Sequence, residues 1–207
     1  MNKFVMPVLA ALAGVTALAQ PASAGTAREA AQADLNGDGR ADRVVVEAVA
    51  GAPEVQSLVA TVNGVRLTAR PPMDNYGGVQ PLRVVDLDGD GRDEVLVVQS
   101  VGANTTSSGV WGLYGGLRPM LTADRAPLLL WEGGGISAIS RYGCEQTATG
   151  RQLVTVGAQL TDWDNGVYEG ERVTYAVTGR VATETSRTPV TGGSQDPLLQ
   201  ADPQTCA

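Results

Sequence analysis

Oxygen-bearing side chains crowd two short stretches of the 207-residue chain, Asp34-Leu-Asn-Gly-Asp-Gly-Arg-Ala-Asp42 and Asp86-Leu-Asp-Gly-Asp-Gly-Arg-Asp-Glu94. In both, Asp, Asn or Glu fills positions one, three, five and nine, and Gly fills four and six. Carboxylates packed this closely repel one another unless a cation lies among them. A donor set built only from oxygen selects a hard cation, and Ca²⁺ is the expected occupant. An ion-free Asx turn needs one such side chain, whereas each stretch supplies four at fixed spacing. The chemistry expected here is ligation.

Catalytic sets are scarce by comparison. The chain has no His, which removes Ser-His-Asp and Cys-His catalysis and every His-ligated metal site. A cluster of carboxylates does occur at Asp162, Asp164, Glu169 and Glu171, beside Trp163 and Tyr168. A glycosidase uses two carboxylates flanking a sugar, so a small secreted hydrolase working at 162–171 is the alternative reading. The competing view is a solvated strand face. Residues 104–116 form a polar run that leads into Trp111 and Tyr114. Such a composition suits either a recognition surface or strand packing, and packing is the expectation.

Around these groups the chain reads as an exported β protein. Asn2 and Lys3 give a charged start, residues 4–18 are mostly apolar, and Ala22-Ser-Ala24 has the small-x-small pattern of a signal cleavage site. Cleavage between Ala24 and Gly25 is expected. Losing 24 of the 207 residues leaves 183, enough for one domain with its own core. That mature part carries 14 Arg against 22 acidic residues, a balance that argues against nucleic acid or anionic membrane as partner. No later segment is apolar enough to span a bilayer. Cys144 and Cys206 are the two cysteines, and an exported chain with an even count favours a disulfide between them.

Val-rich runs separated by Gly, Asn, Asp and Pro predict an all-β fold. Asn63-Gly64 between apolar runs predicts a hairpin with a type I′ turn. A second hairpin is expected over 171–185, turning at Thr178-Gly179. Residues 33–51 and 85–103 align without gaps with nine identities in nineteen, so the acidic loops belong to an internal repeat. Each is followed by an apolar strand. About three units of roughly four antiparallel strands, the third over 136–187, would fit propeller blades. Ring closure is left open. The expected organisation is signal 1–24, β domain 25–187 and an extended tail 188–207 tied by the disulfide.

An EF-hand is excluded, because its loop needs a bidentate Glu at position twelve and flanking helices. Here position twelve is Val45 or Val97, inside a β-type run. The pattern D-x-[DN]-x-D-G-x-x-[DE] followed by a strand resembles the FG-GAP/VCBS repeat, the calcium-bearing blade unit of integrin α-chain propellers and of many exported bacterial proteins. The resemblance covers both loops and their following strands; the Phe-Gly of the family name is absent. It implies side-chain ligands Asp34, Asn36, Asp38 and Asp42 with the Arg40 carbonyl. In the second loop it implies Asp86, Asp88, Asp90 and Glu94 with the Arg92 carbonyl. The function expected on this basis is a secreted or envelope-associated, non-enzymatic recognition or adhesion-type module with structural Ca²⁺. Its partner would be a protein or glycan outside the cell, with self-association through open strand edges as a further outcome.

Overall fold

A computed structural model describes residues 28–74, 77–148 and 150–207. The expected signal and its cleavage site lie outside the described residues. So do Asn75 and Tyr76, in the connector over 71–78.

Two sheets account for nearly all of the structure. The first is a four-stranded meander of β1 (Arg28–Ala33), β2 (Asp42–Ala48), β3 (Gln56–Val62) and β4 (Val65–Ala69). Its last hairpin turns at Asn63 and Gly64, with φ of 49° and 79°. Positive φ at both residues is what a type I′ turn requires. This sheet is the blade-sized unit expected of the first repeat.

The second repeat begins the same way, with β5 (Arg83–Val85), β6 (Glu94–Val101), β7 (Thr105–Leu113) and β8 (Leu117–Pro119). It then departs from the expected pattern. β8 pairs only with residues 111–113 of β7, which leaves 105–109 open on that side. β10 (Leu129–Gly133) takes the open stretch and carries the sheet onward. Through β10 the sheet continues to β11 (Ala138–Thr147), β12 (Gly150–Asp162), β13 (Val167–Thr178) and β14 (Val181–Gly193). β9 (Leu121–Thr122) closes the series by pairing parallel to β14. The strands expected of a third unit are present, but they extend the second sheet to ten strands instead of forming their own. No closed barrel results among the described residues.

β14 also runs further than expected. Residues 188–193 pair with β13, so the tail proper begins at 194. It contains two short 3₁₀ turns, Pro197–Leu199 and Pro203–Cys206, each capped by an aspartate, Asp196 or Asp202. The Cys144–Cys206 disulfide fastens it to β11. Among the described residues no helix is long and apolar enough to cross a membrane.

Packing explains the unbroken valine runs. On β6, Val95 and Val97 face a core shared with Leu35 of the first acidic loop and with Val44, Val46 and Leu58 of the first sheet. Leu96, on the opposite face, joins a second core with Leu87, Val110, Leu130, Tyr142 and Leu153. A strand buried on both faces has no polar side to display, so period-two alternation disappears. A third core gathers Ile139, Val156, Tyr168, Val190 and Leu199 around the long strands and the tail.

Candidate metal centre

Each acidic loop is the connection of a β-hairpin. Residues 34–41 join β1 to β2, closed by the pair Ala33↔Asp42. Residues 86–93 join β5 to β6, closed by Val85↔Glu94. The two loops follow the same path, because each turns twice through left-handed glycines. Gly37 and Gly39 have φ of 72° and 79°; Gly89 and Gly91 have 73° and 80°. A side chain at such φ costs roughly 1–2 kcal/mol, which is why the spacing demands glycine.

That path curls backbone amides around the first carboxylate. Asp34 Oδ1 accepts from the Gly37 and Asp38 amides at 2.8 and 3.1 Å, and its Oδ2 from Gly39 at 2.7 Å. Asp86 repeats the arrangement with Gly89 at 2.7 Å and Gly91 at 3.3 Å. At position five, Asp38 and Asp90 accept from the Arg40 and Arg92 amides at 2.9 and 2.8 Å. Position nine plays another part. Asp42 and Glu94 are buried and accept the amide of position two, Leu35 or Leu87, at 3.2 Å. The same oxygens thus fix the turn.

The second loop gathers three carboxylates. Oxygens of Asp86, Asp88 and Asp90 all lie within 4.8 Å of one another. Two oxygens bound to one Ca²⁺ at about 2.3–2.6 Å can be no more than about 5 Å apart, so the donor set fits that ion. Burial, with Asp90 and Asp86 close by, pushes the Asp88 carboxyl above the usual carboxylate range. Burial also drives Glu94 up to about 8, despite hydrogen bonds from Leu87 and Tyr114 that favour its charge. Burial is the first cause of both shifts, and the neighbouring Asp carboxylates add to it.

In the first loop Asn36 replaces the middle carboxylate. Its Nδ2 donates to Asp38 Oδ2 at 3.0 Å, and its Oδ1 accepts from the Asp38 amide at 3.0 Å. The side chains of Arg40 and Arg92, the carbonyl candidates, are exposed.

Four further residues, none of them expected as a ligand, support the loops. Asp93 Oδ2 accepts the Asp34 amide at 2.6 Å, and the Asp93 amide donates to the Asp34 carbonyl at 2.8 Å. This reciprocal clasp lays one loop against the other. The Tyr114 hydroxyl donates to Glu94 Oε1 at 2.9 Å, which burial of that hydroxyl reinforces. Arg151 Nη1 donates to the Asp86 carbonyl at 2.6 Å, and the Asp86 amide donates to the Cys206 carbonyl at 2.8 Å. Asp93 left a trace in the sequence as the acid that stands where the first loop has Ala41, Tyr114 as an aromatic after the polar run and Cys206 as one of the two cysteines; Arg151 left none.

The carboxylates over 162–171 are arranged differently. Asp162 caps its own turn, accepting from the Asp164 and Asn165 amides and from Asn165 Nδ2. Glu171 is exposed and pairs with Arg187, as does Glu184. Glu169 lies two residues before Glu171 on β13, also exposed. Comparison of the chain with family models, with curated proteins and with solved structures found no match.

Proposed function

We propose that this chain is an exported, calcium-stabilised β module whose role is recognition outside the cytoplasm rather than catalysis. The observation that carries the reading is the convergence of Asp86, Asp88 and Asp90 within 4.8 Å. Asp34, Asn36 and Asp38 offer the parallel first site, with the Arg40 and Arg92 carbonyls as further oxygen ligands. Asp42 and Glu94, the expected ligands at position nine, lie outside the three-carboxylate group among the described residues and hold each turn from the strand side. The disulfide supports export, since such bonds persist in oxidising compartments. The resemblance to FG-GAP/VCBS repeats supports calcium as the ion, and the hairpin setting of both loops agrees with it.

Calcium here is architectural. Extracellular oxygen sites of this kind bind on the order of 10⁻⁴ to 10⁻³ M, and the bound ion stabilises the fold by RT ln(1 + [Ca²⁺]/Kd). The partner is a protein or glycan at or beyond the cell envelope; open sheet edges also permit a second copy to pair. Calorimetric titration of the purified chain with CaCl₂, with and without chelator, tests the reading. Two sites are expected, together with a melting temperature that rises with calcium. Asp38→Ala and Asp90→Ala should each remove binding at their own loop. Heat-silent titrations and an unmoved melting temperature would refute it.

A further inference from the structure

The face of the second sheet that carries the second core is filled along only part of its length. Leu96 of β6, Val110 of β7, Leu130 of β10 and Tyr142 of β11 belong to that core. Further along, the same face turns polar. Val98 pairs with Ser108, and Thr106 pairs with Glu132, on neighbouring strands. These residues, with Arg83 and Asn104, line a cleft of about 410 Å³ floored by Leu96 and Tyr142. That volume lies in the range of small-ligand sites.

The cleft has a charged pair at its rim. Arg83 Nη1 donates to Glu132 Oε2 at 2.9 Å and also to the Tyr142 hydroxyl, with the guanidinium carbon 5.8 Å from the Tyr142 ring centre. Both members of the ion pair stay half open to solvent, at 39% and 47%. Thr106 and Ser108 are half-buried, and among the described residues their hydroxyls make no hydrogen bond. Both residues line the cleft, so a ligand seated there can use these hydroxyls as donors and acceptors. The wall beside them is shaped by glycine. Gly133 has φ of 115°, and a Cβ there would sit 2.0 Å from the Asn104 carbonyl oxygen. Only glycine lets the end of β10 close against the β6–β7 turn.

We propose that this cleft binds a neutral polyhydroxylated ligand, one sugar unit of a glycan, through the Arg83–Glu132 pair and the hydroxyls of Thr106 and Ser108. Glu132 already neutralises Arg83, so the cleft offers no net charge to attract an anion. The chain as a whole, at −7, repels acidic ligands. Neighbouring sugar hydroxyls match the pair instead: one accepts from the guanidinium while the next donates to the carboxylate. A peptide terminus would have to separate the two to use either. The inference rests on the recognition role above and names its site and ligand class.

The test titrates the full purified chain with chitotetraose, cellotetraose and maltotetraose, followed by calorimetry and ligand-observed NMR at millimolar concentration. Tetragalacturonate and tetraalanine serve as acidic and peptide rivals. At least one neutral tetrasaccharide should bind, and Glu132→Gln should weaken it about tenfold, the loss of one charge-assisted hydrogen bond. Ser108→Ala should produce a smaller loss and keeps the test usable if the first variant folds poorly. No binding of any of the three overturns the proposal, as does equal affinity in both variants or a preference for either rival. A calcium titration on the same sample separates the two readings. Silent sugars with calcium still bound would sink the cleft alone, and bound sugar with silent loops would sink the calcium assignment alone.

Discussion

Residues 34–42 and 86–94 trace one backbone path with the same left-handed glycines, yet they solve the crowding of acids in two ways. The first loop satisfies itself apart from the Asp93 clasp on Asp34. Asn36 puts an amide between Asp34 and Asp38 and turns a repulsion into a hydrogen bond. The second loop keeps a third carboxylate there and is braced from outside its hairpin by Tyr114, Arg151 and the Cys206 carbonyl. Near-identical sequence therefore sets conformation, while a single amide-for-acid difference and the surrounding chain set the electrostatics. The second loop is therefore the one in which a proposed cation would have more charge to neutralise.

The most severe way to break this contrast is to remove the outside brace. A Cys144→Ser/Cys206→Ser double variant should lose roughly 4 kcal/mol of stability, the entropy of opening a loop of 62 residues. Denaturant midpoints would measure the loss. Calcium affinity at the second loop should fall with it while the first loop keeps its own.

Single ligands come next. Asp90→Ala should cost the second loop about 100-fold in calcium affinity and Asp38→Ala should cost the first about tenfold, because more charge is concentrated in the second. Equal losses on calorimetry would mean that the two loops are electrostatically alike.

Asp93→Ala makes position eight of the second loop match Ala41 of the first and opens the clasp between them. About 1–2 kcal/mol of stability should be lost, since the Asp34 amide is left without its partner. Thermal melts would show it, and Asp93→Asn should recover part of it by keeping an acceptor. The mildest variant is the most direct. Asn36→Asp should lower stability in chelator by about 0.5 kcal/mol and raise calcium affinity at the first loop. Paired melts with and without calcium should therefore cross relative to the parent.

The local parts of this architecture were legible from short stretches of chain. Glycines at positions four and six announce the double left-handed turn, and Asn63-Gly64 announces its hairpin, because positive φ leaves a residue signature. The paired strands around each acidic loop followed from Val45 and Val97 standing where an EF-hand needs Glu. What escaped was set by partners far away. Nothing in residues 117–119 reveals that β8 stops after three residues, yet that short reach is what admits β10 and fuses the third unit to the second sheet. Asp93 reads as one more surface acid until it meets Asp34, 59 positions earlier. The cleft was half visible as the polar run from Asn104. Its other half, Arg83 and Glu132, comes from strands that only the fold makes neighbours.

The hydrogen bond from the Asp86 amide to the Cys206 carbonyl spans 120 positions, from 86 to 206. During synthesis the first loop can close as soon as β2 emerges, since its own side chains supply most of its bonds. The second makes its local bonds in the same way, but its brace from the Cys206 carbonyl needs residue 206 to have left the ribosome. The last brace of the more highly charged turn is therefore contributed by the final residues of the chain to be synthesised.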